Sequence, residues 1–558
     1  MIGTIQHILD STDVLTIAIS LFVLVYLIAL IIIRGKMKNS EKSAKVWTVL
    51  CFVPIVFSAV HFVVFALGSA FIYIMPSYIS IYIPSVLMAF FPLLKIKKPV
   101  RIITNIACII ICLVLIVLSA SNKVVNYTRK SMSDAYLSLC DYLEENYVLS
   151  EWKKTDYEKL KADGLGLIHE AEKTGDTDKY YEALHKLVAS FNDGHMGLSF
   201  YATEYSYELE NILKFSDYGI SLLTLDNGDT IAVNTIDDIE IKAGDVITKW
   251  NGVPVDEAIE SVSLPFTLGT TIENERIQKA FFLAGVGGDT AEVTYINSDG
   301  AESTAIMNRI DGNIPRAISS FAIFTCSRNE DYDYRMLSDT IGYLRVTAET
   351  INFFSDTISY VTGDHVTARE MFRKDLRELK NKGMTKLVID IRNNAGGYEE
   401  VATALTSLFT EEKMYAFSLG VKNGKETRSV EDRYVLADGE FSDLEILVLT
   451  GMRCGSAGDG LSLYLSRLPN VTVAGLTNPS GISQETGGYV YMPENAVVSF
   501  PVGLVLDEDG NPNIDVDHTR QSRNPVDIKI PLDKDAALKI FDGEDYELEW
   551  AVDYLNQN

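Results

Sequence analysis

The first 120 residues contain four long apolar stretches, and none of them includes an Asp, Glu, Lys or Arg. A helix of about 20 apolar residues is long enough to cross the hydrocarbon core of a bilayer, so these stretches predict a four-helix transmembrane anchor over residues 1–120. The first stretch is too long, and too closely followed by others, to be a cleaved signal peptide. The predicted spans are Val14–Ile33, Val46–Leu67, Phe71–Leu94 and Ile102–Ala120.

Basic residues between the spans predict the orientation of this anchor. Five Lys or Arg follow the first span and four follow the third, whereas the loop after the second span is only Gly68-Ser69-Ala70. Loops rich in Lys and Arg stay on the cytoplasmic side of a membrane. We therefore expect a multi-pass protein of the cell membrane whose residues from about 121 onward are extracytoplasmic.

The rest of the chain is strongly acidic, with 40 Lys or Arg against 73 Asp or Glu after residue 120. Such a surface repels phosphate groups, which argues against nucleic acid as a partner. None of the six cysteines forms a C-x-x-C pair and no H-E-x-x-H occurs, so the sequence predicts neither a metal site nor another cofactor. His61, the one histidine within a span, has no charged neighbour there and gives little support to a transporter or channel.

Two regions with different patterns follow the anchor. Residues 121–204 predict a helical segment, with helices at about 129–147 and 177–191. Residues 205–312 contain short strand-like runs between turns, including the hairpin pair Asn251-Gly252. This stretch resembles the core of a PDZ domain, a module that binds extended peptides along a sheet edge. The alternative is a small β module that only spaces the flanking regions.

Residues 313–558 alternate strands with amphipathic helices, which predicts an α/β domain with a mainly parallel sheet. We expect strands at 341–346, 386–391, 444–450 and 471–474, and helices at 367–382, 398–409 and 457–468.

Three short strings at the ends of these elements carry the candidate chemistry. Ser456, between a strand and a helix, has beside it the N–H of Ala457, one of the free donors of a first helical turn. The glycine pair Gly396-Gly397 can point backbone N–H groups at a ligand. Each feature also has a plainer reading, as a helix N-cap or a tight turn. The strings are Asn192-Asp193-Gly194-His195, Leu387-Val388-Ile389-Asp390-Ile391-Arg392-Asn393-Asn394-Ala395-Gly396-Gly397 and Gly455-Ser456-Ala457-Gly458-Asp459.

In their sequences and in their order along residues 129–558, these strings resemble the motifs of the C-terminal processing (tail-specific) peptidases and the related tricorn-core proteases. The resemblance implies a crotonase/ClpP-like serine peptidase core with an inserted PDZ-like β module, and an acyl-enzyme mechanism without metal or other cofactor. It implies Ser456 as the nucleophile. It also implies the backbone N–H groups of Ala457 and Gly396 as oxyanion donors, with Gly397 as a further candidate.

The residue expected to act as the general base differs from the one most common in this family. Many tail-specific peptidases use a Ser-Lys dyad, but no lysine occurs between Lys425 and Lys529. The tricorn-core branch uses Ser, His and a carboxylate, and His195 matches its upstream histidine. A neutral imidazole can accept the serine proton and then protonate the leaving amine. The rival histidines lie in no matching motif; they are His169, His185, His365 and His518.

The resemblance places the orienting carboxylate late in the chain, and there Asp515 is favoured over Asp517, although the tricorn-core branch typically has a glutamate. Asp459 is expected to act as a helix N-terminal charge. Asp390 is expected to anchor the turn after its strand, together with Arg392.

The sequence thus predicts a membrane-anchored, extracytoplasmic serine endopeptidase that cleaves protein or peptide substrates, taken by their C-terminal tails. One alternative is a catalytically inactive peptide-binding or scaffold protein of the same fold, favoured by the missing lysine. A second is a membrane sensor or transporter accessory in which the spans carry the function.

Overall fold

A computed structural model describes the chain over ten ranges. They are residues 12–36, 41–67, 83–88, 105–113, 123–200, 214–264, 270–310, 315–325, 332–423 and 426–557.

The N-terminal region contains two long helices, α1 (Thr12–Lys36) and α2 (Glu41–Leu67), and shorter helical segments at 83–88 and 105–113. Among the described residues, one window, Lys42–Ala59 in α2, is long and apolar enough to cross a membrane; Leu21–Arg34 in α1 is a shorter apolar helix. Most of the third expected span and much of the fourth lie outside the described residues. The expectation of four transmembrane helices, and with it a multi-pass location, is therefore not supported beyond this one helix.

Residues 123–200 form the predicted helical segment between two short strands. Helices α3 and α6 confirm the two predicted helices to within about three residues at each end. Both begin with a side-chain cap: Ser131 accepts from the N–H of Asp134, and Asp176 from that of Asp178. The elements are β1 (Lys123–Asn126), α3 (Met132–Asn146), α4 (Ser150–Lys153), α5 (Tyr157–Thr174), α6 (Thr177–Ser190) and β2 (Gly197–Phe200).

Residues 214–310 form an antiparallel sheet with the strand order β3-β4-β5-β7-β8, in which β6 pairs with β5. The predicted hairpin at Asn251-Gly252 is present, and both residues have the positive φ that a tight two-residue turn requires (49° and 77°). Two helices in this region were not predicted. The elements are β3 (Ser221–Thr224), β4 (Thr230–Val233), β5 (Val246–Trp250), β6 (Val253–Pro254), α7 (Val255–Glu260), α8 (Ile272–Leu283), β7 (Thr290–Ile296) and β8 (Glu302–Asn308).

The remaining residues contain the predicted α/β sheet. Its order is β18-β15-β14-β11-β10-β9, and every pairing is parallel except that of β9 with β10. The elements are α9 (Arg316–Phe324), β9 (Asp333–Met336), β10 (Ile341–Arg345), α10 (Phe353–Thr362), α11 (Val366–Asn381), β11 (Lys386–Asp390), α12 (Glu399–Ser407), β12 (Met414–Asn423), β13 (Glu426–Val435), β14 (Glu445–Leu449), α13 (Ala457–Ser466), β15 (Val471–Gly475), β16 (Glu485–Tyr491), β17 (Ala496–Leu506), β18 (Ile528–Lys529), α14 (Lys534–Phe541) and α15 (Tyr546–Gln557).

A third sheet joins distant parts of the chain. Its order is β1-β16-β17-β12-β13, and β2 pairs with β17. Residues 123–200 are thereby held beside the segment that follows α13. The α/β class is confirmed, with mixed sheets.

The parallel sheet is covered on both faces, which explains its apolar strands. One face packs under α11, α12 and α13, where Phe372, Leu405 and Leu461 are fully or almost fully buried. The other face packs against β3, β4, α8, α9, α14 and α15. Both predicted central strands, β11 and β14, are buried along four of their five residues. The site described next lies at the carboxyl ends of these two strands.

Candidate active site

Ser456 stands at a strained corner between β14 and α13. Its φ of 56° and ψ of −131° lie outside the common regions for a non-glycine residue, a conformation that costs about 1–3 kcal/mol and that surrounding contacts must maintain. The Ser456 N–H donates to the carbonyl of Ile482 (2.9 Å), and its carbonyl accepts from the N–H of Gly460 (3.0 Å). The side chain makes no capping bond to the helix. Backbone contacts therefore fix the corner and leave the hydroxyl available at the cavity it lines.

The turn after β11 packs directly onto this corner. Its Asn394 carbonyl accepts from the N–H of Gly455 (2.9 Å). A Cβ atom built on Gly396 would lie 2.4 Å from the Cβ of Ser456 and 3.0 Å from the nitrogen of Ala457. Only glycine fits this approach, and its φ of +98° also favours glycine.

The free backbone donors beside Ser456 differ in part from those expected. In this conformation the Gly396 N–H donates to Oδ1 of Asn394 (2.9 Å). Among the described residues, the N–H groups of Gly397 and Ala457 have no acceptor. Gly397 lines the same cavity as Ser456. Two unpaired donors thus flank the hydroxyl, whereas Gly396 would first have to release Asn394.

Glu349 is hydrogen-bonded to this turn and holds it in place. The sequence analysis did not identify this residue. Its Oε1 accepts from Nδ2 of Asn394 (2.6 Å), its N–H donates to the carbonyl of Gly396 (3.1 Å), and its carbonyl accepts from the N–H of Tyr398 (2.7 Å). Burial raises the pKa of Glu349 to about 8. A neutral carboxyl therefore holds the glycine turn at neutral pH.

His195 lies on the turn after α6, as predicted, and this turn and the Ser456 corner have one neighbouring side chain in common. Oδ1 of Asp193 accepts from the His195 N–H (2.9 Å), and Oδ2 accepts from the hydroxyl of Tyr147 (2.8 Å). A Cβ built on Gly194 would lie 2.7 Å from Cδ1 of Ile482, and one on Gly455 would lie 3.2 Å from the same atom. The two loops therefore share Ile482 as a neighbour. No hydrogen bond joins His195 to Ser456 within the described ranges.

Asp515 is fully buried and interacts electrostatically with His195. Its Oδ2 accepts from the N–H (3.0 Å) and hydroxyl (3.1 Å) of Ser483 and from Nε2 of Gln484 (2.5 Å). Its Oδ1 has no partner in the described part of the chain, and neither does Nδ1 of His195; both atoms are buried. Burial raises the pKa of Asp515, while His195 opposes that rise. Asp517, the alternative, is partly exposed, and a hydrogen bond from Thr519 lowers its pKa.

Two of the rival histidines, and Asp459, have other partners. His365 is buried, caps α11 through Nδ1 and contacts Asp356 through Nε2 (2.8 Å); His518 contacts Lys154 (3.0 Å). Asp459, expected as a helix N-terminal charge, is fully buried and accepts from the N–H of Gly481 (2.6 Å) and from Nδ2 of Asn524 (2.7 Å). Burial raises its pKa to about 7. Asp459 thus fixes the loop that carries Ile482.

Asp390 anchors its turn as predicted. It accepts from the backbone N–H (3.1 Å) and from Nε (3.0 Å) of Arg392. Among the described residues, no cluster of three or more His, Cys, Asp or Glu side chains is arranged to hold a metal ion.

A cavity of about 430 Å³ opens beside Ser456. Three of its lining residues are glutamates, which the sequence analysis did not identify as site residues. The lining consists of Tyr360, Gly397, Tyr398, Glu399, Glu400, Phe417, Leu419, Ser456, Ser483, Gln484, Glu485, Thr486 and Val505.

Comparisons with known proteins place this site in a family context. The model of peptidase family S41 matches residues 340–519, which include β10, β11, β14, the glycine turn, Ser456 and Asp515. No curated protein matches the chain. The solved structure of mature CPAF complexed with lactacystin is 14% identical with a TM-score of 0.50, and the match covers 76% of this chain and 100% of that one. This likeness shows a shared fold.

Two further solved structures are similar at lower TM-scores. A putative peptidase from Parabacteroides merdae ATCC 43184 is 17% identical, with a TM-score of 0.42 and coverage of 76% of this chain and 97% of that one. The photosystem II D1 C-terminal processing protease is 16% identical, with a TM-score of 0.33 and coverage of 75% and 98%. The family-model match thus spans about a third of the chain, includes the Ser456 corner and the glycine turn, and indicates a hydrolase of the serine peptidase type.

Proposed function

We propose that this chain is a serine endopeptidase that cleaves protein or peptide substrates through an acyl-enzyme at Ser456. The observation that carries the proposal is the packing of the Gly396-Gly397 turn onto the Ser456 corner. Within the described ranges, this packing leaves the N–H groups of Gly397 and Ala457 without an acceptor, beside a Ser456 hydroxyl that makes no hydrogen bond there. Paired backbone donors next to a nucleophile are the arrangement that stabilises the oxyanion of acyl transfer.

The proposed reaction follows from these positions. Oγ of Ser456 attacks the scissile carbonyl carbon while Nε2 of His195 accepts the hydroxyl proton. The carbonyl oxygen becomes an oxyanion that accepts from Ala457 and Gly397, or from Gly396 once its bond to Asn394 is released. His195 passes the proton to the leaving nitrogen as the C–N bond breaks, which leaves an ester on Ser456. Water, deprotonated by His195, then hydrolyses the ester to the free carboxylate and restores Ser456.

Asp515 is proposed to orient His195. Nδ1 of His195 and Oδ1 of Asp515 are both buried and unpaired among the described residues, and leaving both so is costly. A hydrogen bond between them would satisfy both atoms and turn Nε2 toward Ser456. Catalytic hydrogen bonds are often long in the absence of substrate, so the missing bond between Ser456 and His195 fits a resting state.

Location and substrate delivery belong to the same proposal. The apolar helix Lys42–Ala59 is proposed to hold the enzyme at a membrane, with the peptidase region outside the cytoplasm. The β3–β8 sheet is proposed to act as a PDZ-like module for substrate tails. The segment just before helix α8 of the same region contacts the active-site region directly, because the N–H and hydroxyl of Thr270 donate to the carbonyl of Ser480 (2.8 and 3.0 Å). Membrane fractionation with and without residues 1–120 tests the anchor.

The test of the activity is cleavage of casein by the full chain in detergent. We expect cleavage by the wild type and its loss in Ser456→Ala and in His195→Ala, with His169→Ala as the matched control. Cleavage that persists in Ser456→Ala would refute the assignment of Ser456 as the nucleophile.

A second candidate is a catalytically inactive peptide-binding protein of the same fold. The absence of a Ser456–His195 hydrogen bond among the described residues favours it. Tail-peptide binding without cleavage by the wild type would support it.

A further inference from the structure

The cavity beside Ser456 has an acidic wall and an apolar wall. Glu399, Glu400 and Glu485 contribute the acidic side chains. The apolar wall consists of Phe417, Leu419 and Val505. A nucleophile, three carboxyl groups and an apolar surface therefore share one space of about 430 Å³.

The carboxyl groups are incompletely satisfied. Oε2 of Glu399 accepts from the hydroxyl of Tyr464 (2.8 Å), but its Oε1 is buried and has no partner in the described part of the chain. Glu485 accepts from the hydroxyl of Tyr360 (3.2 Å). Burial raises the pKa of Glu399, Glu400 and Glu485 alike, because desolvation disfavours an ionised carboxylate.

The neighbouring charges do not neutralise this wall. Arg433 lies 4.0 Å from Oε1 of Glu400, but it also pairs with Glu431 (3.2 Å) and donates to the carbonyl of Tyr360 (3.0 Å). Arg433 is not among the lining residues. His365 favours the charged form of Glu400, whereas Glu349 and Asp459 disfavour that of Glu399. Arg433 therefore offsets the effect of burial only in part at Glu400 and Glu485, and the pKa of each of the three carboxyl groups stays raised.

We propose that this cavity selects substrates with a lysine or arginine side chain next to the scissile bond, held by Glu399 and Glu485. The inference rests on the proposed function, since Ser456 must be the nucleophile for this cavity to hold a residue flanking the cleaved bond. The methylene stem packs on Phe417, Leu419 and Val505, while the charged head pairs with the carboxylates. A neutral side chain of equal length would leave Oε1 of Glu399 buried and unpaired.

The test compares peptides that differ only at the residue flanking the scissile bond. Quenched fluorescent peptides carry arginine, lysine, citrulline, norleucine or glutamate at that position, on either side of the bond in two series. Citrulline keeps the shape of arginine without its charge. We expect the full-length enzyme in detergent to cleave the arginine or lysine peptide with a kcat/KM at least about tenfold above that of the citrulline peptide in one series. The ratio of arginine to lysine distinguishes a guanidinium from an ammonium.

Two variants connect the preference to the cavity. In Glu399→Gln and in Glu485→Gln the arginine-to-citrulline ratio should fall toward one, and Glu485→Gln preserves the test if Glu399→Gln fails to fold. Glu412→Gln, an exposed carboxylate outside the cavity, should keep the wild-type ratio.

The outcomes separate the two proposals. Equal cleavage of the arginine and citrulline peptides by the wild type, or a preference that survives in both variants, overturns the proposal that the acidic cavity binds a basic side chain and leaves the peptidase proposal standing. Failure to cleave any peptide, together with no reaction of Ser456 with a serine-directed phosphonate, overturns both.

Discussion

Gly396 lies so close to Ser456 that a Cβ atom on the glycine would come within 2.4 Å of the Cβ of the serine. The two residues are 60 positions apart in the chain, and each lies in a loop that follows a parallel strand. Because β11 and β14 are adjacent in the sheet, the loops at their carboxyl ends meet. The contact places the backbone N–H groups of the glycine turn beside the serine hydroxyl.

Gly396→Ala should strongly lower the peptidase activity. The added methyl group would clash with Ser456, and the φ of +98° is unfavourable for alanine. Because the displaced turn would move the N–H of Gly397 away from the serine hydroxyl, we expect kcat/KM on casein-derived peptides to fall by roughly 100-fold or more, the scale of losing one oxyanion donor.

Gly166→Ala is the matched control, because its Cβ would meet nothing within 4 Å. Helix α5 should tolerate that change or be stabilised by up to about 1 kcal/mol. Near wild-type peptidase activity in Gly396→Ala would contradict the close packing.

Asp515→Asn should lower kcat while leaving the fold intact. The amide would have to keep the bonds from Ser483 and Gln484 but could not stabilise a charged His195. In a Ser-His-Asp triad the same change lowers kcat about 10⁴-fold, and we expect a loss of roughly 10²–10⁴-fold here.

Asp517→Asn, two residues away and partly exposed, should retain activity. If the two variants lose activity equally, the proposal that Asp515 orients His195 is wrong. Circular dichroism would establish that both are folded.

Glu349→Gln should change how stability depends on pH. Burial raises the pKa of Glu349 from 4.5 to about 8, so the folded state binds a proton that the unfolded chain releases near pH 4.5. Its contribution to the free energy of unfolding is therefore complete below about pH 4.5 and is lost as pH rises to about 8, at about 1.4 kcal/mol per pH unit at most.

Glutamine resembles the protonated carboxyl, so Glu349→Gln should remove this contribution to the slope of the unfolding free energy against pH. Urea denaturation between pH 5 and pH 8 measures it, with Glu412→Gln as the control. An unchanged slope in Glu349→Gln would mean that Glu349 is ionised at neutral pH.

Patterns within one element were predictable from the sequence, and the elements they define are confirmed. The apolar runs of β11 and β14 and the spacing of Phe372, Leu376 and Leu379 on α11 follow from local periodicity. The third sheet was missed because β1 and β2 pair with strands more than 290 residues later. No local pattern indicates such pairings.

The same distinction applies to the site. Ser456, His195 and the glycine pair lie in recognisable strings, whereas Glu349, Glu399 and Glu485 are ordinary glutamates in the sequence. Their importance arises from burial by residues distant in the chain, which raises their pKa values. The engagement of the Gly396 N–H by Asn394 likewise depends on a turn geometry that the glycine pair alone does not specify.

The most direct measurement is the rate at which a fluorophosphonate probe labels the full-length protein, with the modified residue located by mass spectrometry. The account predicts a single adduct on Ser456, absent in Ser456→Ala and formed at least about 100-fold more slowly in His195→Ala, because the imidazole must take the hydroxyl proton. Labelling of a different serine, or an unchanged rate in His195→Ala, would contradict it.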